Sequence, residues 1–206
     1  MGYYIRVLGT QDPDISINDL QEALQKAGLT ASLQLDPDET ARQCTMINVE
    51  NDHGQPLAQI ERNPVVEGEL GQEELDEFRE LIREEQPQSA VQWLTGYFDR
   101  VKVIYAFQLL SAALEGNNYD IISTLRTAIW EKTGGILQAD NEGFSNEEGY
   151  HILWQYAETV TGDLYAAVLN ASGAWEKFRM DLGDHFQRMA FQGGSVPQMA
   201  VRLLIE

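Results

Sequence analysis

Three four-residue segments with asparagine first and glycine last constrain the fold of this chain more than any other feature of its sequence. They are Asn51–Gly54, Asn146–Gly149 and Asn170–Gly173. Each lies next to stretches in which apolar and polar residues alternate, as they do in strands with one buried face. Glycine suits the tight position of a hairpin turn because it tolerates backbone angles that other residues avoid. The sequence therefore predicts three β-hairpins, which pair residues 45–50 with 57–62, Phe144 with 149–156, and 164–169 with 175–182.

Further strands are predicted at residues 3–8, 32–35, 102–110 and 136–139. The segment 102–110 is largely apolar at both sets of alternating positions, which is typical of a strand buried on both faces. Residues 175–191 allow two interpretations, because Phe178, Leu182 and Phe186 also have helical spacing. The preceding turn favours a strand as far as Leu182, followed by a short helix that Asp184 caps.

Helical periodicity marks four other segments, at residues 16–27, 67–86, 89–101 and 118–132. Ser16 with Asp19 three residues later fits a capping box, and Gly28 fits the residue after a helix end. Ser89 with Gln92 predicts a second capping box. Together, these helices, strands and hairpins predict an α+β fold.

The order of elements predicts an internal duplication. Each half has a strand, a helix, one or two glycines, a short strand that ends on aspartate, and a hairpin. We therefore predict two related strand-helix-strand-hairpin units at residues 1–66 and 102–206, with an extra hairpin at the C-terminal end. An acidic helical segment at residues 67–101 joins them. A chance match between two α+β segments is the alternative.

The balance of charge is strongly negative, with 33 acidic and 14 basic residues and a formal net charge of −19. Such a chain repels nucleic-acid phosphates and anionic lipid, so neither is predicted as a partner. It attracts cationic proteins, most strongly at low salt. The alternative is a housekeeping protein in which the acidic residues only maintain solubility or adapt the surface to a salty cytoplasm.

The sequence lacks the residues that several kinds of functional site require. Cys44 is the single cysteine, so an internal disulfide and a cysteine-based zinc site are excluded. Phosphate-binding, dinucleotide-binding and serine-hydrolase motifs are missing, and no cofactor is predicted. No signal peptide or long apolar run is visible, which predicts a cytoplasmic protein. The sequence leaves the oligomeric state open.

Two acidic regions are the predicted binding surface for a basic protein, as an immunity or antitoxin-like protein would use. The first lies on the helical segment after residue 67, and the second is the loop before His151. The predicted contact residues are Glu73, Glu74, Glu77, Glu80, Glu84, Glu147 and Glu148. The alternative is that these charges form an ordinary solvated face.

The loop at residues 140–148 is also the one candidate for catalysis, although the sequence favours a protein that is not an enzyme. Asp140 or Glu142 could act with His151 in acid–base chemistry of a small hydrolase or lyase. The loop does not fit the EF-hand pattern, because Phe144 occupies a ligand position, and no metal site is predicted. The alternative is a solvated turn beside a structural histidine.

Overall fold

The computed structural model describes residues 2–35, 45–157 and 159–203, and within them it contains five α-helices and eleven β-strands. The helices are α1 (Ile17–Lys26), α2 (Leu70–Ile82), α3 (Gln88–Phe98), α4 (Asn118–Thr133) and α5 (His185–Gln192). The strands are β1 (Tyr3–Gly9), β2 (Ser32–Leu35), β3 (Met46–Glu50), β4 (Pro56–Pro64), β5 (Val103–Leu109), β6 (Ile136–Ala139), β7 (Gly143–Ser145), β8 (His151–Trp154), β9 (Asp163–Leu169), β10 (Trp175–Asp181) and β11 (Val201–Arg202). The predicted α+β class is confirmed.

Spatial contacts divide the chain into two compact units. The first consists of Met1–Glu74 and Val101–Gly135, and the second of Leu75–Arg100 and Ile136–Glu206. Both units are therefore built from two separate segments, and α2 begins in the first and ends in the second. The sequence-based boundaries after residues 66 and 101 follow chain order, whereas the spatial division interleaves the segments.

The first unit contains an antiparallel sheet in the order β1-β5-β4-β3-β2. Its middle strands are β5 and β4, and the first five residues of β5 are all buried, as the two-sided apolar pattern predicts. Because successive side chains point to opposite faces, this burial means that both faces of β5 are covered.

Helices α1 and α4 also belong to the first unit, and their ends follow the predicted local signals. Ser16 and Asp19 form the predicted capping box at the start of α1. Gly134 ends α4 in the left-handed conformation, with φ of 59°. The next residue, Gly135, lies so close to β1 that an added Cβ would be 2.3 Å from the carbonyl oxygen of Leu8. Glycine is required there because no side chain fits.

In the second unit the strands follow the order β6-β7-β8-β9-β10-β11. Neighbouring strands are antiparallel except β8 and β9, which are parallel. One part of its core joins Phe78 of α2, Phe98 of α3 and Phe144 of β7, whose ring centroids are 5.4–6.5 Å apart. Another part brings Phe191 of α5 against Phe178 of β10 and Trp154 of β8.

The three predicted hairpins are present, between β3 and β4, β7 and β8, and β9 and β10. Their loops share one hydrogen-bond arrangement around Asn51, Asn146 and Asn170. In each loop the asparagine side-chain oxygen accepts from the backbone N–H groups two and four residues later, at 3.0–3.1 Å. The glycine N–H donates to the asparagine carbonyl at 3.0 Å. One sequence pattern therefore closes three hairpins in the same way.

Two local predictions need correction. The capping box of Ser89 and Gln92 is wrong, because α3 begins at Gln88 and Ser89 lies inside its first turn. The acidic segment 140–148 is not one loop, because β7 interrupts it and separates a turn at 140–142 from the Asn146–Gly149 loop. The strand assigned to residues 175–182 is confirmed as β10, and Asp184 caps α5. Cys44 lies outside the described residues.

Candidate functional site

His151, Tyr156 and Glu142 form a small polar cluster in the second unit. His151 is the first residue of β8, and Tyr156 lies two residues beyond the end of that strand. The hydroxyl of Tyr156 is 3.3 Å from Nε2 of His151 and 3.5 Å from a carboxylate oxygen of Glu142. Tyr156 therefore bridges two of the residues that the sequence proposed for catalysis.

The position of Glu142 follows from the tight turn between β6 and β7. The N–H of Glu142 donates to the carbonyl of Ala139 at 3.1 Å, and Asn141 has a positive φ of 60°. Asp140, the other predicted carboxylate, lies two residues earlier in the same turn. The contacts to Tyr156 described above come from Glu142 rather than from Asp140.

Burial dominates the electrostatics of this cluster. It lowers the pKa of His151, while the nearby negative charge of Glu142 acts in the opposite direction. It also raises the pKa of Tyr156 well above its usual range, and Glu142 adds to that increase. The folded state therefore favours a neutral imidazole and a protonated phenol. The short contact between the hydroxyl and Nε2 is therefore a hydrogen bond between two neutral groups.

The other nitrogen of the imidazole is unsatisfied. Nδ1 of His151 is buried and has no hydrogen-bond partner among the described residues. Trp154 and Tyr156 lie against each other with ring centroids 5.0 Å apart, so one side of the cluster is aromatic. The cluster thus consists of three half-buried polar side chains with an aromatic ring packed against one of them.

The acidic residues of the β7–β8 loop have internal partners. Glu147 lies 3.5 Å from Arg100, whose guanidinium also stacks 4.4 Å from the ring centre of Tyr97. Glu148 forms an ion pair with Lys177 of β10. Bases that are distant in the sequence therefore neutralise two carboxylates that were predicted to bind a partner.

The acidic residues of α2 divide into paired and unpaired groups. Glu74 pairs with Arg6, and Glu80 pairs with Arg83. The remaining predicted contact residues are exposed and form no ion pair within the described residues: Glu73 and Glu77 of α2, and Glu84 in the turn after α2. Glu73 and Glu77 are four residues apart and therefore lie on one face of α2.

Basic side chains are mostly engaged in internal ion pairs. Of the 13 lysines and arginines in the described part of the chain, at least ten form such a pair. Most of the cationic side chains are therefore next to a carboxylate already. The acidic groups without an ion pair in the described chain, such as those on α2, carry the remaining negative charge.

The tryptophans do not form one common cluster. Trp93 and Trp175 meet edge to face at 5.3 Å, whereas Trp154 contacts Tyr156 and Phe191. Trp130, in the first unit, donates from its indole nitrogen to the carbonyl of Gly135 at 2.6 Å. Two of the four therefore share an aromatic contact, and each of the others has a separate packing role.

Sequence reasoning missed Tyr156, Arg100 and Lys177. None of the three has a motif or a regular spacing relative to its partner, and each is brought to it by tertiary structure. Two features are absent from the described residues. No group of three or more His, Cys, Asp or Glu side chains is arranged to hold a metal ion. No helix in the same part of the chain is both long and apolar enough to cross a membrane.

The chain has no significant match to a protein-family model, to a curated protein or to a solved structure.

Proposed function

We propose that this chain is a non-enzymatic acidic binding protein for a basic protein partner, in the manner of an immunity protein. The observation that supports this most directly is that basic side chains are paired within the chain more completely than acidic ones. Most of the basic side chains are held in internal ion pairs, while Glu73, Glu77 and Glu84 are exposed and have none among the described residues. A cationic partner would supply the missing countercharge and would be attracted over a distance at low salt.

The outer face of α2, together with Glu84 in the turn after it, is the proposed contact surface. Exposed carboxylates without a fixed partner can accept charge-assisted hydrogen bonds from a guanidinium or ammonium group. Glu147 and Glu148 have a smaller role in this proposal, because a partner would first have to displace Arg100 and Lys177.

The test compares two triple variants with equal loss of charge. One carries Glu73→Gln, Glu77→Gln and Glu84→Gln, and the control carries Glu67→Gln, Glu115→Gln and Glu131→Gln, which are exposed acids elsewhere in the chain. The probe is a set of purified cationic proteins, measured at low and high salt. The proposal expects salt-dependent binding that falls about tenfold or more in the α2 variant and much less in the control. Equal losses in both variants would mean that only net charge matters, and the α2 surface would be rejected.

A second candidate function is a hydrolase or lyase that uses Glu142 or Asp140 with His151. The bridging hydroxyl of Tyr156 supports it, because the hydroxyl lies within hydrogen-bond reach of both groups. The test is cleavage of activated aryl esters by the wild-type protein and by His151→Gln and Tyr156→Phe. Activity that both variants abolish without loss of fold supports this candidate, and activity that survives both rejects it.

Three further proposals accompany the main one. They are a cytoplasmic location, no direct binding of nucleic acid, and an evolutionary relation between the two predicted strand-helix-strand-hairpin units. The housekeeping alternative, in which the acidity is only environmental adaptation, predicts that no cationic protein binds more tightly than its net charge alone explains.

A further inference from the structure

Helix α5 has one buried side and one exposed apolar side. Asp184 caps it by accepting from the N–H groups of Phe186 and Gln187 at 2.9 and 3.3 Å. On its inner side Phe191 is fully buried against Phe178 and Trp154. These contacts fix the orientation of the helix, and so they determine which side chains point outward.

The outward side carries Phe186 and Met189. Their positions are five and two residues before Phe191, which places both roughly opposite the buried ring on a helix of 3.6 residues per turn. Phe186 is 81% exposed and Met189 is 56% exposed. Since they are three residues apart, their side chains are neighbours on the helix surface. An exposed phenylalanine beside an exposed methionine is a common feature of surfaces that bind another protein.

The surroundings of α5 are acidic at both ends. Asp181, which is exposed, lies just before its first turn. At the other end, a Cβ on Gly194 would lie 3.4 Å from Pro87, so the helix ends beside the start of α3. Glu85 and Glu84 are two and three residues before Pro87 in the chain. A ligand that covers α5 would therefore meet apolar side chains in the centre and carboxylates at the margins.

The charge of the second unit indicates which kind of ligand can bind to this face of α5. The unit contains 16 acidic and seven basic residues. Six of the seven bases are in ion pairs, and the seventh, Arg188, donates to the carbonyl of Leu182. A second copy of the chain would bring another 19 net negative charges to the contact, and anionic lipid would be repelled as well. A cationic segment with its own apolar stripe is the complementary occupant.

We propose that the outward face of α5, with Phe186 and Met189 at its centre, is the docking face for an amphipathic, lysine- and arginine-rich helix of the basic partner. This inference rests on the proposed function and adds an apolar anchor to it. The acidic groups accelerate the encounter, and the two apolar side chains slow dissociation because they are removed from water in the complex.

The probe is a pair of synthetic peptides with the same number of lysines and leucines. One has leucine at helical spacing, and the other has the same residues in shuffled order. Fluorescence anisotropy at low and intermediate salt gives the affinity of each peptide. The wild-type protein is expected to bind the amphipathic peptide about tenfold more tightly than the shuffled one, as expected for a desolvated apolar anchor.

The variant Phe186→Ser with Met189→Ser is expected to lose this preference and to keep the salt-dependent binding that both peptides share. Leu114→Ser is the matched control, because Leu114 is 75% exposed but lies in the first unit, and it should keep the preference. The α2 variant with three Glu→Gln changes should weaken both peptides together. Circular dichroism checks that each variant is folded.

Four outcomes overturn the inference. If the Phe186 and Met189 variant keeps the tenfold preference, the docking face is wrong, while salt-dependent binding of both peptides leaves the proposed function intact. If neither peptide binds in a salt-dependent manner, the proposed function fails and this inference fails with it. If the wild-type chain dimerises and the variant does not, a second copy covers α5. If the wild-type chain binds lipid vesicles and the variant does not, a lipid surface covers it.

Discussion

The hydroxyl of Tyr156 lies 3.3 Å from Nε2 of His151, and Nδ1 of the same ring is buried without a hydrogen-bond partner among the described residues. A buried imidazole with one satisfied nitrogen resists protonation, because both nitrogens of the imidazolium donate and each would need an acceptor. Burial accordingly lowers the pKa of His151, and the opposing effect of Glu142 is smaller. This relationship makes the stability of the second unit sensitive to mild acid.

The first prediction concerns the substitution His151→Gln. In the unfolded chain His151 titrates near its ordinary pKa of about 6.5, while the folded state binds the proton less readily. Stability is therefore present above that pKa and is lost as the pH falls below it, by up to about 1.4 kcal/mol per pH unit. We expect the glutamine variant to lose less stability between about pH 7.5 and pH 5.5, measured by urea unfolding.

His53→Gln is the control for that experiment, because His53 is exposed at the tip of the β3–β4 loop. It should retain the acid sensitivity of the wild-type protein. An identical pH dependence in the wild-type and His151→Gln proteins would show that His151 is protonated as easily in the folded chain as in the unfolded one.

The second prediction compares two of the hairpin asparagines. Asn146 is buried and Asn170 is not, although each accepts from two backbone N–H groups. The substitution Asn146→Ala removes a buried acceptor from two partly buried donors and should reduce the free energy of unfolding by about 1–3 kcal/mol. Asn170→Ala should cost less, since water can replace the lost acceptor. Chemical denaturation of both variants checks the order, and an equal or reversed effect would contradict it.

The hairpins and helix ends could be predicted from the sequence because their signals are local. The Asn-x-x-Gly pattern contains both its acceptor and its flexible residue, and Ser16 with Asp19 contains both halves of a cap. The strand β7 was harder, since only Phe144 among its three residues is apolar. Three residues are too few to show a period, so the acidic segment was interpreted as one loop.

The candidate site could be predicted only in part. Charge and composition identified Glu142 and His151 as neighbours in a polar region. Tyr156 was not predicted, because its bridging role depends on how the chain turns after β8. The internal pairing of Glu147 with Arg100 also depends on long-range packing, since these residues are separated by 46 intervening positions. The net charge gives the excess of acidic over basic residues. It does not show which of the acidic residues are paired with a base in the folded chain.

The third prediction concerns two glycines, of which one has no room for a side chain and the other has open space beside it. Gly143 has φ of 96°, and a Cβ there would lie 2.3 Å from the carbonyl oxygen of Leu153. Gly143→Ala should therefore destabilise the protein by several kcal/mol or prevent folding, because both backbone strain and a backbone clash oppose it. Gly96 lies within α3 and has open space around it. Gly96→Ala should stabilise the protein by about 0.5–1 kcal/mol, and thermal unfolding measures both effects. A destabilising Gly96→Ala would contradict the open space beside α3.

The last prediction concerns Asp19, which links α1 to α4. Its carboxylate accepts from Lys132 at 2.9 Å and from the hydroxyl and N–H of Ser16 at 2.7 and 2.9 Å. These hydrogen bonds, with that of Lys132 the largest, lower the pKa of Asp19 to about 2. A lowered carboxylate pKa stabilises the fold above the unfolded pKa, and this contribution is lost as the pH falls through about 2.

Asp19→Asn should therefore be less stable than the wild-type protein near neutral pH, by about 1 kcal/mol for the weakened cap. The difference should shrink below about pH 4, where the wild-type carboxylate begins to be protonated in the unfolded chain. Glu22→Gln is the control, because Glu22 is exposed on the same helix and its ion pair is with Lys26, at 3.9 Å. Its effect should be small at every pH. Urea unfolding across the acid range measures both variants, and a constant difference for Asp19→Asn down to pH about 2 would mean that the charge of Asp19 does not stabilise the fold.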